Sequence, residues 1–205
     1  NIVDAAGEPV QWVWKTWAWE TALDQIRDEI EVTGQQPEVY EPGRKLGKPL
    51  QLSDVLFHKQ VMVFEPLWSL IPSNKAILPV LWSLFPNHPL LLNASFELTD
   101  ELMASGYVAK PIVGRCGANI SLFNKDAELI ESTAGGFGEQ DKVYQQFFQL
   151  PQIDGFYTQI STFMSAGVYS GSGMRVSESR VIDKESDCLP LQFISDKQFL
   201  AGSQM

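Results

Sequence analysis

Six cationic side chains, Lys75, Lys110, Arg115, Arg175, Arg180 and Lys184, fall in or beside glycine-rich turns of an otherwise acidic chain. Glycine lets backbone N–H groups turn toward a ligand with no Cβ in the way. A run of inward N–H groups cradles anions, phosphate above all. Lysine adds a point charge, and arginine adds a planar fork that matches phosphate oxygens. Together these are the parts of a polyphosphate site, where cations neutralise the charge of a moving phosphoryl group. The densest stretch is Lys110-Pro111-Ile112-Val113-Gly114-Arg115-Cys116-Gly117-Ala118-Asn119-Ile120. Its spacing is not that of GxxxxGK[ST] and no helix is expected to follow it, so a Walker-type loop is not indicated. A surface glycine turn flanked by snorkelling Lys and Arg gives the same pattern. Spacing alone leaves open whether the six cations converge.

The elements that would position them follow from periodicity. Residues 106–109 read as the end of a strand and 119–124 as the next, which makes the stretch between them a glycine-rich β-hairpin lid. Residues 9–14 read as a strand with Trp12 and Trp14 on one face. Residues 19–32 read as a helix whose apolar stripe is Trp19, Leu23, Ile26 and Ile30. The four tryptophans at 12, 14, 17 and 19 fit a core seam better than a ligand platform. Residues 33–49, rich in Gly and Pro, read as a long mobile loop. A short helix is expected over 50–57 and a strand over 60–64. A helix over 73–85 is expected, with Ser73 as N-cap and a distortion at Pro79. That puts Lys75 near a helix N-terminus, where the dipole favours anions. Such a placement suits an anionic ligand shared between the two, and equally a solvated lysine. Thr99 caps a helix over 100–105 that Gly106 stops. Further on come a turn over 134–138, strands over 142–149 and 160–164, a second glycine-rich turn over 165–173, strand again over 174–176, and a polar, mobile segment over 177–186 that carries Arg180 and Lys184.

Composition bounds the function. The chain has 205 residues, 44% of them apolar and 20% charged, enough for one large domain or two lobes sharing a cleft. A formal charge of −10 argues against nonspecific nucleic-acid binding and is compatible with a cationic small substrate as well as with plain solubility. Cys116 and Cys188 make no disulfide framework, although one bridge between them is conceivable, and the two histidines are isolated. No apolar run reaches a membrane span and no signal peptide opens the chain, so a cytoplasmic setting is the simpler expectation.

Several motifs resemble one family. They are the stretch from Trp14 to Thr21 (WKTWAWET), Phe64-Glu65-Pro66-Leu67-Trp68, the run from Ser73 to Trp82 (SNKAILPVLW), the stretch from Lys110 to Arg115 with Gly117-Ala118-Asn119-Ile120, Tyr144-Gln145, and Gly171 with Gly173 and Arg175. In this order, and over nearly the whole chain, they look like the synthetase part of glutathionylspermidine synthetases, some of which also carry an amidase domain. The resemblance implies an α+β, ATP-grasp-like fold of mixed sheet lobes. It implies an ATP-dependent ligase that phosphorylates the glycine carboxylate of glutathione and lets a spermidine amine attack the acyl phosphate, with ATP and Mg2+ required. It matches Lys75 and Lys110 to phosphate-contacting lysines, Cys116 and Gly117 to the lid, and Gln145, Gln146, Phe147 and Phe148 to the strand that holds adenine. It matches Arg175 to the arginine that steadies the transferring phosphate, Arg180 and Lys184 to a mobile loop, and Thr16 and Thr21 to the glutathione side. Many relatives carry Arg-Glu where this chain has Arg175-Val176, so one carboxylate is missing or supplied elsewhere. The family's magnesium ligands and amidase domain lie upstream of every motif here. The resemblance therefore implies a C-terminal portion of the synthetase, residues 1–205, incomplete for catalysis alone, and is compatible with a homodimeric parent protein. The competing expectation is a degenerate or regulatory nucleotide-binding module.

Overall fold

A computed structural model describes residues 2–33 and 52–202. The chain divides into two compact units, 1–73 and 74–205.

In the first unit, β1 (Trp12–Trp14) pairs in parallel with β2 (Met62–Phe64), with Trp12 opposite Met62 and Trp14 opposite Phe64. Helix α1 (Trp19–Thr33) and the short α2 (Leu52–Leu56) supply the rest of its core, in which Trp19, Ala22 and Leu56 are buried against Val13, Val63 and Leu70. A 3₁₀ turn at Leu67–Ser69 leads into α3 (Leu70–Ser73). Of the four clustered tryptophans only Trp19 enters this core, whereas Trp12, Trp14 and Trp17 are exposed, so the expected core seam is not formed. The apolar stripe of α1 is also rotated: Ala22 is fully buried while Leu23 and Ile30 are exposed. A helix beside a two-stranded ribbon has little surface to cover, so the bulkiest side chain sets the contact. Lys15 is buried here, with Nζ donating to the Trp17 carbonyl and to Glu65 Oε2, each at 3.0 Å. Apart from Thr33, the expected loop over 33–49 lies outside the described residues.

The second unit contains two antiparallel sheets. The strands β3 (Ala94–Ser95), β4 (Tyr107–Pro111), β5 (Ser121–Phe123), β6 (Leu129–Ser132) and β7 (Lys142–Gln146) form one in the order β3-β7-β4-β5-β6. The strands β8 (Gln152–Ile153), β9 (Phe156–Ser165), β10 (Val168–Ser177) and β11 (Asp187–Leu189) form the other in the order β11-β10-β9-β8. Helices α4 (Ile77–Leu84) and α5 (Asp100–Ser105) pack on β7, α4 also on β3, and α6 (Asp196–Gly202) follows β11 in the chain. The expected hairpin exists as β4 and β5, paired Tyr107 to Phe123 and Ala109 to Ser121. It is no free-standing flap, because β7 flanks β4 on its other side. Strand β4 is buried on both faces, as a central strand should be.

Two sequence expectations give way. The helix expected from Ser73 begins at Ile77, and Asn74 Oδ1 accepts from the Ala76 amide ahead of it. Pro79 therefore falls in the first turn, where its missing N–H has no intrahelical acceptor to lose, and the helix is not broken there. The second glycine-rich turn is likewise strand: β10 runs through Gly171 and Gly173, and the reversal is confined to Ala166 and Gly167, both at positive φ. Gly171 sits at a register shift opposite β9, the bulge position that glycine tolerates. By contrast α5 has the expected ends, with Thr99 Oγ1 accepting from the Leu102 amide at 3.3 Å and Gly106 at φ 80°. Among the described residues no helix is long and apolar enough to cross a membrane.

Leu102, the buried residue of α5, is fully covered, while Leu90 is 86% exposed. Urea denaturation should find Leu102→Ala less stable by about 2–5 kcal/mol and Leu90→Ala within about 0.5 kcal/mol of the parent.

Candidate functional site

Between the two sheets of the second unit lies a cleft of about 500 Å3. Its floor follows from strand alternation: Val108 and Lys110 point from the same face of β4, and Gln145 stands beside them on β7. Ile120, Leu122 and Val181 complete a small apolar core with Val108, against which Phe147 packs. Leu92, Leu150 and Ile182 extend the apolar lining. Among the described residues three cations, Lys75, Lys110 and Arg180, line the same space, and no carboxylate does.

The two lysines are held by backbone and amide oxygens. Lys110 Nζ donates to Gln145 Oε1 at 2.6 Å. Lys75 is fixed at both ends, its amide donating to the Ile112 carbonyl at 2.9 Å and its Nζ to the Gly114 carbonyl at 3.0 Å. Burial, and secondarily the charge of Lys75, lowers the Lys110 ammonium from 10.5 to about 8. An ammonium that burial and a like charge both disfavour is a receptor for an anion.

The glycine loop over 112–120 reaches the cleft at Gly117. This residue has φ +70°, and a Cβ there would lie 2.8 Å from the Ile182 carbonyl oxygen. Thr133 pins the loop: its Oγ1 donates to the Gly117 carbonyl and accepts from the Ile120 amide at 2.9 Å. Asn119 Oδ1 accepts from the Phe137 amide at 2.8 Å. Cys116 and Arg115 are exposed in this loop, and both cysteines are free thiols.

The far wall of the cleft is the segment after β10. Arg175, opposite Gln159 in the β9–β10 ladder, donates to the carbonyls of Asp183 and of Ser186, the latter at 3.2 Å. Its Nε is buried without a partner. Gln159 lines the cleft, so Arg175 stands at its margin, bound to the wall segment. Arg180 lies over the Tyr157 ring at 5.4 Å and beside Glu131 at 3.7 Å. The segment expected to be mobile is thus tied down at several points.

Of the residues singled out in the sequence, Lys75, Lys110, Gly117, Gln145, Gln146, Phe147, Phe148 and Arg180 are brought together around one cleft. Arg175 adjoins it. Cys116 is in the adjoining loop but does not line the cleft, and Lys184 is exposed and pairs with Glu185 at 3.3 Å. Thr16 is exposed in the first unit, and Thr21 lies within α1. Sequence reasoning missed Glu131, Ser179, Tyr157 and Thr133, which hold the cations and loop in place. Each acts across a long sequence separation, which no spacing pattern reveals.

Residues 1–194 match the family model described as glutathionylspermidine synthase preATP-grasp. The chain is 50% identical over 194 residues to the bifunctional glutathionylspermidine synthetase/amidase of Escherichia coli (strain K12), covering 93% of this chain and 30% of the relative. It is 40% identical over 187 residues to the trypanothione synthetase of Crithidia fasciculata, covering 90% and 28%. It is 38% identical over 138 residues to a putative acid–amine ligase of Haemophilus influenzae, covering 63% and 35%. The chain thus spans about a third of the length of these curated relatives or less.

Two outcomes follow from this geometry. Because the folded Lys110 titrates at about 8 and the unfolded one at 10.5, the unfolded chain binds the extra proton between those values. Stability relative to a Lys110→Gln variant should therefore rise across that window and stay flat below it, as read by urea denaturation at stepped pH. Parallel profiles would contradict the burial of this charge. Gly117→Ala should lose about 1–3 kcal/mol in the same assay, from positive φ and the Ile182 carbonyl together.

Proposed function

This chain belongs to the glutathionylspermidine synthase preATP-grasp family, and we propose that its second unit supplies the nucleotide cleft of an ATP-dependent carbon–nitrogen ligase with an ATP-grasp-like fold. One observation carries the reading: in a chain of net charge −10, the described residues that line a single apolar-floored cleft include three cations and no carboxylate. Apolar walls with a few convergent polar groups suit a purine ring, and cations at one end suit its phosphates.

In this reading Gln145, Gln146, Phe147 and Phe148 hold the base. Lys75 and Lys110 neutralise phosphate oxygens, and the bound anion keeps Lys110 charged to higher pH. The loop with Cys116 and Gly117 turns backbone N–H groups toward the phosphates. Arg175, whose buried Nε has no partner in the protein, and Arg180 face the group in transfer. A glutathione glycine carboxylate oxygen attacks the γ-phosphorus and ADP leaves. A spermidine amine then attacks the acyl carbon, the amide bond forms and inorganic phosphate departs. Thr16 and Thr21 lie on the glutathione side, and Lys184 belongs to the loop beside the transferring group. The chain is one portion of a longer synthetase domain. The related names point to glutathione and spermidine as substrates, and the name of the putative acid–amine ligase gives only the classes, an acid and an amine.

Magnesium fits less well. Among the described residues no three His, Cys, Asp or Glu side chains converge to hold an ion.

Calorimetric titration of the chain with ATP tests the reading. Lys75→Ala and Lys110→Ala should each weaken binding about tenfold, a charge-assisted hydrogen bond apiece, with adenosine binding little changed. Below pH 8 Lys110 is already charged in the empty cleft. Above it a proton must be taken up, so affinity should fall by up to about tenfold per pH unit. ATP affinity that survives both substitutions would sink the assignment.

A further inference from the structure

Glu131 stands outside the cleft, on β6 opposite Leu122, yet three donors from the cleft's far wall end on its carboxylate. Ser179 Oγ donates to Oε1, the Arg180 amide donates to Oε2 at 3.3 Å, and the Arg180 guanidinium lies 3.7 Å from Oε2. Ser179 Oγ also accepts from the Val181 amide at 3.1 Å, which carries the anchor one residue further along the wall. On its other side the guanidinium rests on the ring of the buried Tyr157.

We propose that Glu131 is a positioning residue for phosphate recognition: it clamps residues 179–181 to the five-stranded sheet and so holds Arg180 over the cleft. The proposal rests on the reading of the cleft as a nucleotide site. Two of the three contacts need only an oxygen acceptor and fix the backbone. The third is an ion pair that is partly solvated, with the arginine side chain 39% exposed and the glutamate 23%. An exposed pair of this kind is weak, and a dianionic phosphate group outbids one carboxylate for the guanidinium. Arg180 then swaps its ionic partner from Glu131 to phosphate while Ser179 and the Arg180 amide stay on Glu131. Glu131 is the one carboxylate on β6: Leu129 is exposed, and Ile130 packs against the apolar core.

The test compares Glu131→Ala and Glu131→Gln in the full chain by calorimetry with ATP and with adenosine. The glutamine keeps an acceptor oxygen and drops the competing charge. Glu131→Ala should weaken ATP binding at least fivefold and leave adenosine within twofold, whereas Glu131→Gln should bind ATP as tightly as the parent or more tightly. Adding Glu131→Ala to Arg180→Ala should cost nothing further, because the clamp acts through that side chain. Trypsin should cut after Arg180 at least fivefold faster in Glu131→Ala than in the parent. Equal loss of ATP and adenosine affinity in Glu131→Ala marks a merely structural role and overturns the proposal. ATP affinity unchanged in Glu131→Ala overturns it while leaving the nucleotide reading intact. A parent chain that binds no ATP overturns both.

Discussion

The second unit is built around an electrostatic conflict, two ammonium groups sharing one partly buried cleft. Lys110 projects from the central strand of a sheet, where water is scarce, and Lys75 approaches from the start of α4. Burial alone would favour a neutral amine, and the second charge pushes the same way. Neutral oxygens hold both groups in place, from the side chain of Gln145 and the backbone of Gly114. Neutral acceptors hold an ammonium in position without cancelling its charge, so an incoming anion meets a field that is already oriented.

The architecture around the cleft makes sense in those terms. An amide at position 145 reaches Lys110 because β4 and β7 are adjacent and antiparallel, with Lys110 opposite Val143 and Gln145 two residues on. The Gly114 carbonyl reaches Lys75 because the loop folds back over α4's approach, where Lys75 also bonds Ile112. That loop keeps its shape through one threonine hydroxyl and one asparagine oxygen. The opposite wall uses the reverse device: Arg175, on β10, gathers two carbonyls of the segment that follows. Charge-assisted bonds of this kind are worth about 1.5–3 kcal/mol each, enough to keep a polar segment with few apolar contacts against the sheet.

What the sequence disclosed and what it hid divide by distance along the chain. Thr99 and Gly106 mark the ends of α5 through contacts within four residues, and both were legible. So was the strand pair on either side of the loop over 112–120, from alternation in Val108, Ile120 and Leu122. The lysines and the aromatic-glutamine strand end were legible as a set mainly because they resemble a known family. Gly171 and Gly173 misled because glycine marks turns and also bulged strands, and only the β9 partner decides between them. Ser73 misled because Asn74, one residue later, offers a competing oxygen. The tryptophan cluster misled for a different reason. Whether Trp12 and Trp14 are covered depends on what a two-stranded ribbon can bury, and period-two patterning carries no information on that.

The charge distribution connects these local facts to the proposed reaction. A net charge of −10 spread over the chain repels a polyphosphate at long range, and at physiological ionic strength that repulsion fades beyond about 8 Å. Inside that distance the described residues that line the cleft present three cations and no acid, with Glu131 behind Arg180, so the attraction is short-ranged and specific to molecules that enter. A polyamine experiences the opposite field: it is drawn to the acidic surface and repelled by the cleft itself. In the proposed reaction, where an acid is phosphorylated before an amine attacks, this asymmetry would keep the polycation out of the phosphate site while holding it near the protein. An acidic chain with a basic cleft is therefore a coherent arrangement for joining an anion to a cation in that order.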